Sequence, residues 1–434
     1  MRIVHLTPGT GNFYCGTCMR DNALVAALRA QGHDAVLLPM YLPHFVDEQS
    51  VAEAGPLFFG GINVYLQQKA EFFRRSPAWF DRWLDSPALL NLAATRAGMT
   101  SARDLGELTL SMLQGEEGRQ AKELEKVIAW LSREENRPDV VCLSNVLLIG
   151  LARGIREALG VPVVCTLQGE DSFVDALPEP ERCWQVLRER AADVSVFVAV
   201  SRYYGEVMTR RLGLAPERVE VVYNGINPEG YTTPIAGPRT PPVIGYLARM
   251  HPCKGLDVLI EAFILLKARK RIPGALLRIA GGQTAEDRLF VNGLKERLFA
   301  ARCEENVQFL PNLDLASKHA FLRSLSVLSV PATYGESFGL YVIEALASGV
   351  PVVQPAHGAF PELIEATGGG ILYKPGDPEA LALALEEVLG KPAQLAQMGR
   401  CGRRQVRKKF TSETMARSFA EVCARALQSF APWG

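Results

Sequence analysis

The stretch 329-SVPATYGESFGLYVIEALASGVPVV-353 decides how the whole chain is read. VLSVPA is a buried strand ending at Pro331, and TYGES is the loop at that strand's carboxyl end. FGLYVIEALAS follows at helical spacing, with Ser337 placed as its cap and Gly349 as its stop, and VPVV is the next strand. A strand–loop–helix–strand order directs the first free N–H groups of the helix, around Gly339 and Leu340, outward from the strand end, a site suited to a diphosphate. Gly339 has no Cβ to keep a ligand from the backbone. Glu336 stands in the loop and Glu344 eight residues on, about 12 Å away if the segment were helical throughout. That is too far for two carboxylates to share a proton, and it suits two contacts along an elongated ligand, each accepting paired hydrogen bonds from vicinal hydroxyls. A solvated helix face would account for Glu344 alone, but not for Glu336 beside a Gly-flanked strand-to-helix turn.

The same rhythm extends outward on both sides. VIGYLAR, LLRIAGG, VQFLP, VPVVQPA and GILYKPG are the other strands of the second half. In the first half RIVHL, DAVLLPMYLP, DVVCLS (139–144), VPVVCTLQ (161–168) and VSVFVAVS (194–201) alternate with helical stretches such as DNALVAALRAQG, with Gly32 as its C-cap. Continuous apolar strands alternating with helices define an α/β fold with parallel sheets covered on both faces. The window 224–242 holds five Pro and marks a linker. The expected organisation is therefore a first doubly wound domain over 1–225, a linker over 226–241 and a second such domain over 242–410. A capped amphipathic helix over 411–434, with Ser412 as N-cap, is expected to pack back on the first domain. Residues 43–136 interrupt the rhythm with aromatic and then helical sequence, with GINVYLQQ as a strand inside it. Two doubly wound halves imply a ligand cleft facing the carboxyl ends of both sheets.

Bulk composition narrows the function. The 434 residues exceed a single core, and 47 Lys+Arg balance 47 Asp+Glu. No global field therefore favours nucleic acid or an anionic membrane. MRIVHLTPG lacks the pattern of a secretion signal, and no run approaches the ~18 apolar residues of a membrane span. Nine scattered Cys read as reduced thiols, and the expected location is the cytoplasm. The lone CxxC of Cys15 and Cys18 lacks the second ligand pair of a zinc site and the context of a redox motif. GTGN (9–12) lacks the third glycine and the acidic residue of a dinucleotide fingerprint, so NAD is rejected. No DxD pair offers a divalent metal a seat, and no cofactor is expected.

E-x7-E in the setting P…Y.E.FGL…EA.A.G.PVV resembles the signature of the retaining glycosyltransferases of family 4, and more loosely that of glycogen and sucrose synthases. The resemblance runs along essentially the whole chain and implies the GT-B architecture of two Rossmann-like domains. GYLARMHPCKGLDVLIEAF resembles the family stretch whose Arg and Lys grip the donor diphosphate, here Arg249 and Lys254. RIAGG, with Gly281, and VQFLPN match segments that in the family line the base pocket. YCGTCMRDNALVAALRAQGHDAV resembles the family's phosphate-facing loop, with Gly16 retained and Cys15 in place of a glycine. HGAFPELIEATGGG (357–370) matches a further segment, with Glu362 near the cleft and His357 bonding locally. Gln168 stands where the family usually has His. It can hydrogen-bond a hydroxyl but carries no proton at neutral pH. Glu170 and Asp171, directly after it, either position an acceptor hydroxyl or form a turn cluster.

The resemblance implies a nucleoside-diphosphate sugar as donor substrate, without a metal. Glu344 holds the ribose and Glu336 the sugar, with Ser337, Phe338, Gly339 and Leu340 forming the rest of the donor loop. Arg249, Lys254 and the helix N-terminus stabilise the leaving diphosphate, and the sugar passes with retention to an acceptor hydroxyl on a sugar, lipid-linked or small molecule. The basic runs 267–271 and 403–409 are solvated helix faces or, for a lipid acceptor, a peripheral-membrane contact. Two other readings stay open: a nucleotide-sugar epimerase or hydrolase on the same fold, and a non-catalytic nucleotide-sugar-binding protein.

Overall fold

Strands apolar on both faces must be sandwiched between helices, and this is how the chain is built. The computed structural model describes residues 1–9, 16–42, 44, 46, 48–52, 58–59, 64, 67–68, 102–231 and 240–430. They form two compact units, Met1–Tyr223 with Met415–Gly434, and Asn224–Thr414.

The first unit contains strands β1 (Arg2–Thr7), β2 (Asp34–Pro39), β3 (Val140–Leu143), β4 (Val163–Leu167), β5 (Val196–Ala199) and β6 (Val219–Val221) in one sheet of order β2-β1-β3-β4-β5-β6. Every pairing in it is parallel. β3, β4 and β5 are buried along their whole length, which is why VVCL, VVCTL and VFVA carry no polar alternation beyond Thr166. Helices α1 (Gly16–Ala30), α2 (Ala102–Leu113), α3 (Ala121–Leu131), α4 (Ala152–Leu159), α5 (Asp171–Asp175), α6 (Pro180–Arg190) and α7 (Arg202–Leu212) connect them.

The second unit repeats the plan. Strands β7 (Val243–Leu247), β8 (Leu276–Gly281), β9 (Val307–Pro311), β10 (Val327–Leu328), β11 (Val352–Pro355) and β12 (Gly370–Tyr373) form a parallel sheet of order β12-β11-β10-β7-β8-β9. Its helices are α8 (Leu256–Arg269), α9 (Arg288–Ala300), α10 (Leu315–Arg323), α11 (Leu340–Ala347), α12 (Phe360–Thr367), α13 (Pro378–Leu389) and α14 (Pro392–Lys409). The chain adds strands outward from β7 to β9 and then returns to lay β10 on the other side of β7. That reversal is a topological switch point, where the loops after the two strands diverge and leave room for a ligand. The corresponding reversal in the first unit lies between β1 and β3.

The last helix, α15 (Ser412–Ser429), supplies Met415, Phe419, Val422, Cys423 and Ala426 to the core of the first unit, against Ile3, Val140, Cys142 and the buried face of α1. Its cap is Thr411 rather than Ser412: the Thr411 hydroxyl accepts from the Thr414 N–H at 3.1 Å. α11 also departs from expectation, starting at Leu340 with Gly339 as its N-cap and no side-chain cap, so Ser337 does not cap it. Its stop is as expected. Gly349 has φ +73°, Val350 N–H bonds Ala345 C=O at 2.9 Å, and Gly349 N–H bonds Leu346 C=O at 2.9 Å, the Schellman arrangement. Ile226, read as linker, is bridged to Thr411 within the second unit, while 232–239 lie outside the described residues. Most of 43–101, Cys15 and most of GTGN lie outside them too. Of GINVYLQQ, read as a strand, only Val64, Gln67 and Gln68 are described, and these are helical. Among the described residues no helix is long and apolar enough to cross a membrane.

Candidate active site

At the carboxyl end of β7 the chain leaves the sheet through Ala248 and Arg249 and turns through His251–Gly255 into α8. The turn is tight enough to need glycine. Gly255 has φ +68°, and a Cβ on it would lie 1.8 Å from the Pro331 carbonyl oxygen, so the loop is pressed against the end of the β10 segment. This close approach sets Lys254 beside the loop that carries Glu336. Lys254 Nζ lies 2.6 Å from Glu336 Oε2 and also bonds the Tyr334 hydroxyl. The Tyr341 hydroxyl donates to the same oxygen at 2.9 Å and that of Tyr334 at 3.2 Å. All three interactions fall on Oε2, so Oε1 receives no hydrogen bond from any described residue. Burial pushes the Glu336 carboxyl up, but Lys254 and the two phenols outweigh it and hold the group below its usual range. Burial opposes charge on Lys254 as well, and Glu336 and Tyr334 reverse that and raise it. The pair is thus ionised and nearly enclosed, with side-chain exposures of 21% and 8%.

The loop after β11 grips the Glu336 backbone. Ala359 N–H donates to Glu336 C=O at 2.9 Å, and Gly358, at φ +61°, lies so close that a Cβ would sit 2.7 Å from the Glu336 nitrogen. His357, expected to bond locally, reaches back 25 residues through Nε2 to the Ala332 carbonyl at 2.9 Å, which ties the loop after β11 to the one after β10. Phe338 is buried, with its ring 6.2 Å from that of Phe410, so it anchors the loop from the core and offers no ligand contact through its side chain. Ser337 is buried too. Gly339 takes φ +86° and releases the chain into α11; its carbonyl accepts the Val342 N–H at 2.9 Å, and the N–H groups of Leu340 and Tyr341 at the start of the helix have no partner within it.

Glu344, on α11, repeats the arrangement with other partners. Its Oε1 accepts from Lys318 Nζ of α10 at 2.9 Å and from the Tyr231 hydroxyl at 3.1 Å, and no described residue donates to Oε2. The Tyr231 ring is itself held edge-on by His319, with centroids 4.3 Å apart. The two glutamates are therefore tied to separate sets of partners, and each has one oxygen to which no described residue donates.

The family resemblance pairs Arg249 with Lys254 as a diphosphate grip. In the structure it has a partner of its own: Nε and Nη2 reach Asp287 at 3.2 Å each, and Nη2 reaches Thr284 Oγ1 at 3.4 Å. Gly281, assigned to the donor, has another use. At φ +132° a Cβ there would meet the Ala248 carbonyl oxygen at 1.9 Å, so its bareness serves the packing of β8 against the loop after β7. Gly282 next to it faces open space.

In the first unit, polar groups gather where β1, β3 and β4 end. Asp21 of α1 is fully buried and accepts from Thr7 (2.9 Å) and Ser144 (2.5 Å) on one oxygen, and from Arg20 (3.2 Å) on the other, with His5 Nε2 at 3.1 Å. Burial alone would raise its carboxyl, yet His5, Arg20 and Ser144 bring it down to about 2. Gln168 Nε2 donates to Ser144 C=O at 2.7 Å and lies 3.4 Å from Asp21 Oδ1, and two acceptors on one side fix the amide's orientation. Glu170 is a loop organiser. It accepts from the N–H groups of Val146, Gln168 and Gly169 and from the Tyr204 hydroxyl, which also reaches Asp171. Burial nonetheless raises the Glu170 carboxyl above its ordinary value. Gly16 is the exposed first residue of α1.

Sequence reading thus missed Asp21, Tyr231, Asp287, Lys318, Tyr334 and Tyr341. Tyr334 and Tyr341 were open to recognition, as phenols two before and five after Glu336. The others sit far away in sequence. Of the basic runs, Arg269 and Arg271 are engaged by Glu386 of α13. Among the described residues no three His, Cys, Asp or Glu side chains gather in a way that could hold a metal ion.

Comparison with known proteins gives the chain's family and fold. Residues 234–405 match the family model described as glycosyl transferases group 1, and 110–229 that of glycosyltransferase family 4. The chain is 28% identical over 293 residues to a glycogen synthase of Mycobacterium tuberculosis, covering 66% of this chain and 68% of that protein. It is 29% identical over 223 residues to a D-inositol 3-phosphate glycosyltransferase of Jonesia denitrificans, covering 48% of this chain and 52% of the relative. In fold it is similar to a sucrose-phosphate synthase of Thermosynechococcus elongatus, with a TM-score of 0.71 at 19% identity over 99% of this chain and 100% of the other. The Anabaena protein HepE in complex with UDP gives 0.67 at 17% identity over 98% of this chain and 100% of the other.

Proposed function

Since the chain belongs to the glycosyltransferases of family 4 (glycosyl transferases group 1), with their GT-B fold, we propose that it moves a hexosyl group from a nucleoside-diphosphate sugar to an acceptor hydroxyl. Configuration is retained and no metal takes part. The observation that carries this reading is the matched pair of half-used carboxylates. Glu336 Oε1 and Glu344 Oε2 each receive no hydrogen bond from any described residue, beside a carboxylate oxygen that is firmly held. Hydroxyl-rich ligand groups are what such oxygens bind, the sugar at Glu336 and the ribose at Glu344.

The bond from the anomeric carbon to the diphosphate oxygen breaks, and a bond to the acceptor oxygen forms on the same face. The acceptor's proton leaves on the departing phosphate. Charge gathers on that phosphate. Lys254 retains a third N–H beyond those used on Glu336 and Tyr334, Arg249 retains its Nη1 edge, and the start of α11 adds backbone donors. Donors fixed in advance need little reorganisation during the reaction, which is the source of their catalytic value. On the first unit, Gln168 offers a hydroxyl-binding amide and Asp171 a carboxylate for the acceptor side, with Glu170 shaping the loop. The glycogen synthase and the D-inositol 3-phosphate glycosyltransferase act on different acceptors by their names.

Product analysis with UDP-, GDP- and ADP-sugars, with and without acceptor sugars, tests the reading. Nucleotide release that depends on acceptor, with a glycoside of unchanged anomeric configuration by NMR, is expected. Free monosaccharide released regardless of acceptor overturns it.

A further inference from the structure

Resting on the donor-site reading above, we propose that Asp287 is the positioning residue for Arg249, holding the guanidinium so that its remaining edge meets the donor diphosphate. Arg249 is a half-exposed side chain, 46% accessible, while its partner is 2% accessible. A long exposed side chain seldom keeps one geometry, because holding it costs rotamer entropy. Here the geometry is imposed from below. Asp287 Oδ2 takes the Thr284 N–H at 2.8 Å, the Thr284 hydroxyl at 2.8 Å and Arg249 Nε at 3.2 Å, and Oδ1 takes Arg249 Nη2 at 3.2 Å. The carboxylate is thus fixed by the turn that opens α9 and grips the guanidinium at two points. Two parallel bonds define the plane of the guanidinium as well as its place. They use the Nε/Nη2 edge and leave Nη1, for which no described residue supplies an acceptor.

The opposite role is also physical and has the opposite sign. If Asp287 merely parked Arg249 away from the ligand, the carboxylate would compete with the diphosphate, and its removal would tighten binding. Three features favour positioning. Asp287 takes two hydrogen bonds from Thr284 that do not involve Arg249, so the cation is not its sole source of hydrogen bonds. The backbone at Arg249 is pinned on both sides, before it by Ala248 N–H on Ala280 C=O at 3.2 Å, and after it by Tyr246 Oη on the Arg249 carbonyl at 2.9 Å and Met250 N–H on Gly282 C=O at 2.8 Å. And Arg249 leaves the sheet from β7, one of the two strands of the switch point, from whose other side the Glu336 loop departs. Burial pushes the Asp287 carboxyl up, but the Thr284 N–H, Arg249 and the Thr284 hydroxyl together bring it below its usual value, so the anchor is charged at neutral pH.

The test is calorimetric titration of UDP, GDP and ADP, and of the matching nucleosides, into wild type, Asp287→Asn, Arg249→Gln and the double variant. Circular dichroism melts confirm folding. Asn keeps the volume and one acceptor for Thr284 but loses the fork. Asp287→Asn should weaken the tightest-binding diphosphate about tenfold, the factor equivalent to ~1.4 kcal/mol and to the ordering of one long side chain. The nucleoside's affinity should stay unchanged, and in the Arg249→Gln background Asp287→Asn should add nothing. Tighter binding by Asp287→Asn, or equal losses with and without Arg249, overturns the proposal: the first makes Asp287 a competitor and the second a mere turn residue. No binding of any diphosphate to wild type sinks the donor-site reading itself, and a normal wild type with an insensitive Asp287→Asn sinks only this one.

Discussion

Replacing Lys254 with Met tests whether the Lys254–Glu336 pair is built as the structure describes. Met preserves most of the stem volume and removes the charge. Glu336, with a side chain 8% exposed, is then left with two phenols on Oε2 and no cation. Breaking a buried pair on one side costs roughly 3–5 kcal/mol, because the surviving charge has lost its counter-ion. Lys254 is 21% exposed and both tyrosines remain, so the lower end, about 3 kcal/mol, applies. For a unit of this size that is roughly 6–12 °C in Tm. The pH dependence identifies the cause. In the wild type the Glu336 carboxyl is depressed, so its contribution is fully present above the ordinary carboxylate value and is lost as pH falls through the depressed one. In Lys254→Met, burial acts without the cation and raises the same carboxyl, so the penalty sets in as pH rises through about 4.3 and grows above it. Scanning calorimetry should therefore show a deficit larger at pH 8 than at pH 5, with Lys254→Met/Glu336→Gln recovering most of it at pH 8. A deficit that does not vary with pH, or a double variant no more stable than the single one, would refute the reasoning.

Two further predictions come from the same detail. Gly281→Ala places a methyl 1.9 Å from the Ala248 carbonyl at φ +132° and should cost about 3 kcal/mol in urea unfolding, whereas Gly282→Ala, whose methyl meets nothing within 4 Å, should leave the midpoint within error. Equal midpoints for both variants would contradict the packing role given to Gly281. Asp21, brought down to about 2 from 3.8, contributes about 2 kcal/mol that is fully present above about pH 4 and lost as pH falls toward 2. Acid titration followed by circular dichroism should show this loss in the wild type and not in Asp21→Asn, and coincident acid transitions would count against it.

How far the site could be read in advance depended on how local each cause was. The parallel sheets, the Glu336 loop and the Gly349 stop of α11 follow from contiguous patterns, since apolar runs, Gly and Pro act on their own neighbourhood. The start of α11 does not. Ser337 is a good capping residue by type, but the αL turn at Gly339 begins the helix later and leaves Ser337 buried in the loop. Pairings across the chain were beyond any spacing argument. Asp287 lies 38 residues from Arg249, and Asp21 lies 147 from Gln168, each brought there by strand order. The family resemblance supplied Arg249 and Lys254 as cations. It supplied Glu336 as a ligand contact rather than as the partner of Lys254, and it did not supply Asp287, which the fold brings to Arg249.

The central claim is that Glu336 and Glu344 form a nucleotide-sugar site. Thermal-shift titration of wild type and Glu344→Ala with a panel of UDP, GDP and ADP sugars tests it most directly. The account predicts that at least one donor stabilises the wild type in a concentration-dependent way and that Glu344→Ala loses that stabilisation. Stabilisation by none of the panel, or equal stabilisation of both proteins, would contradict it.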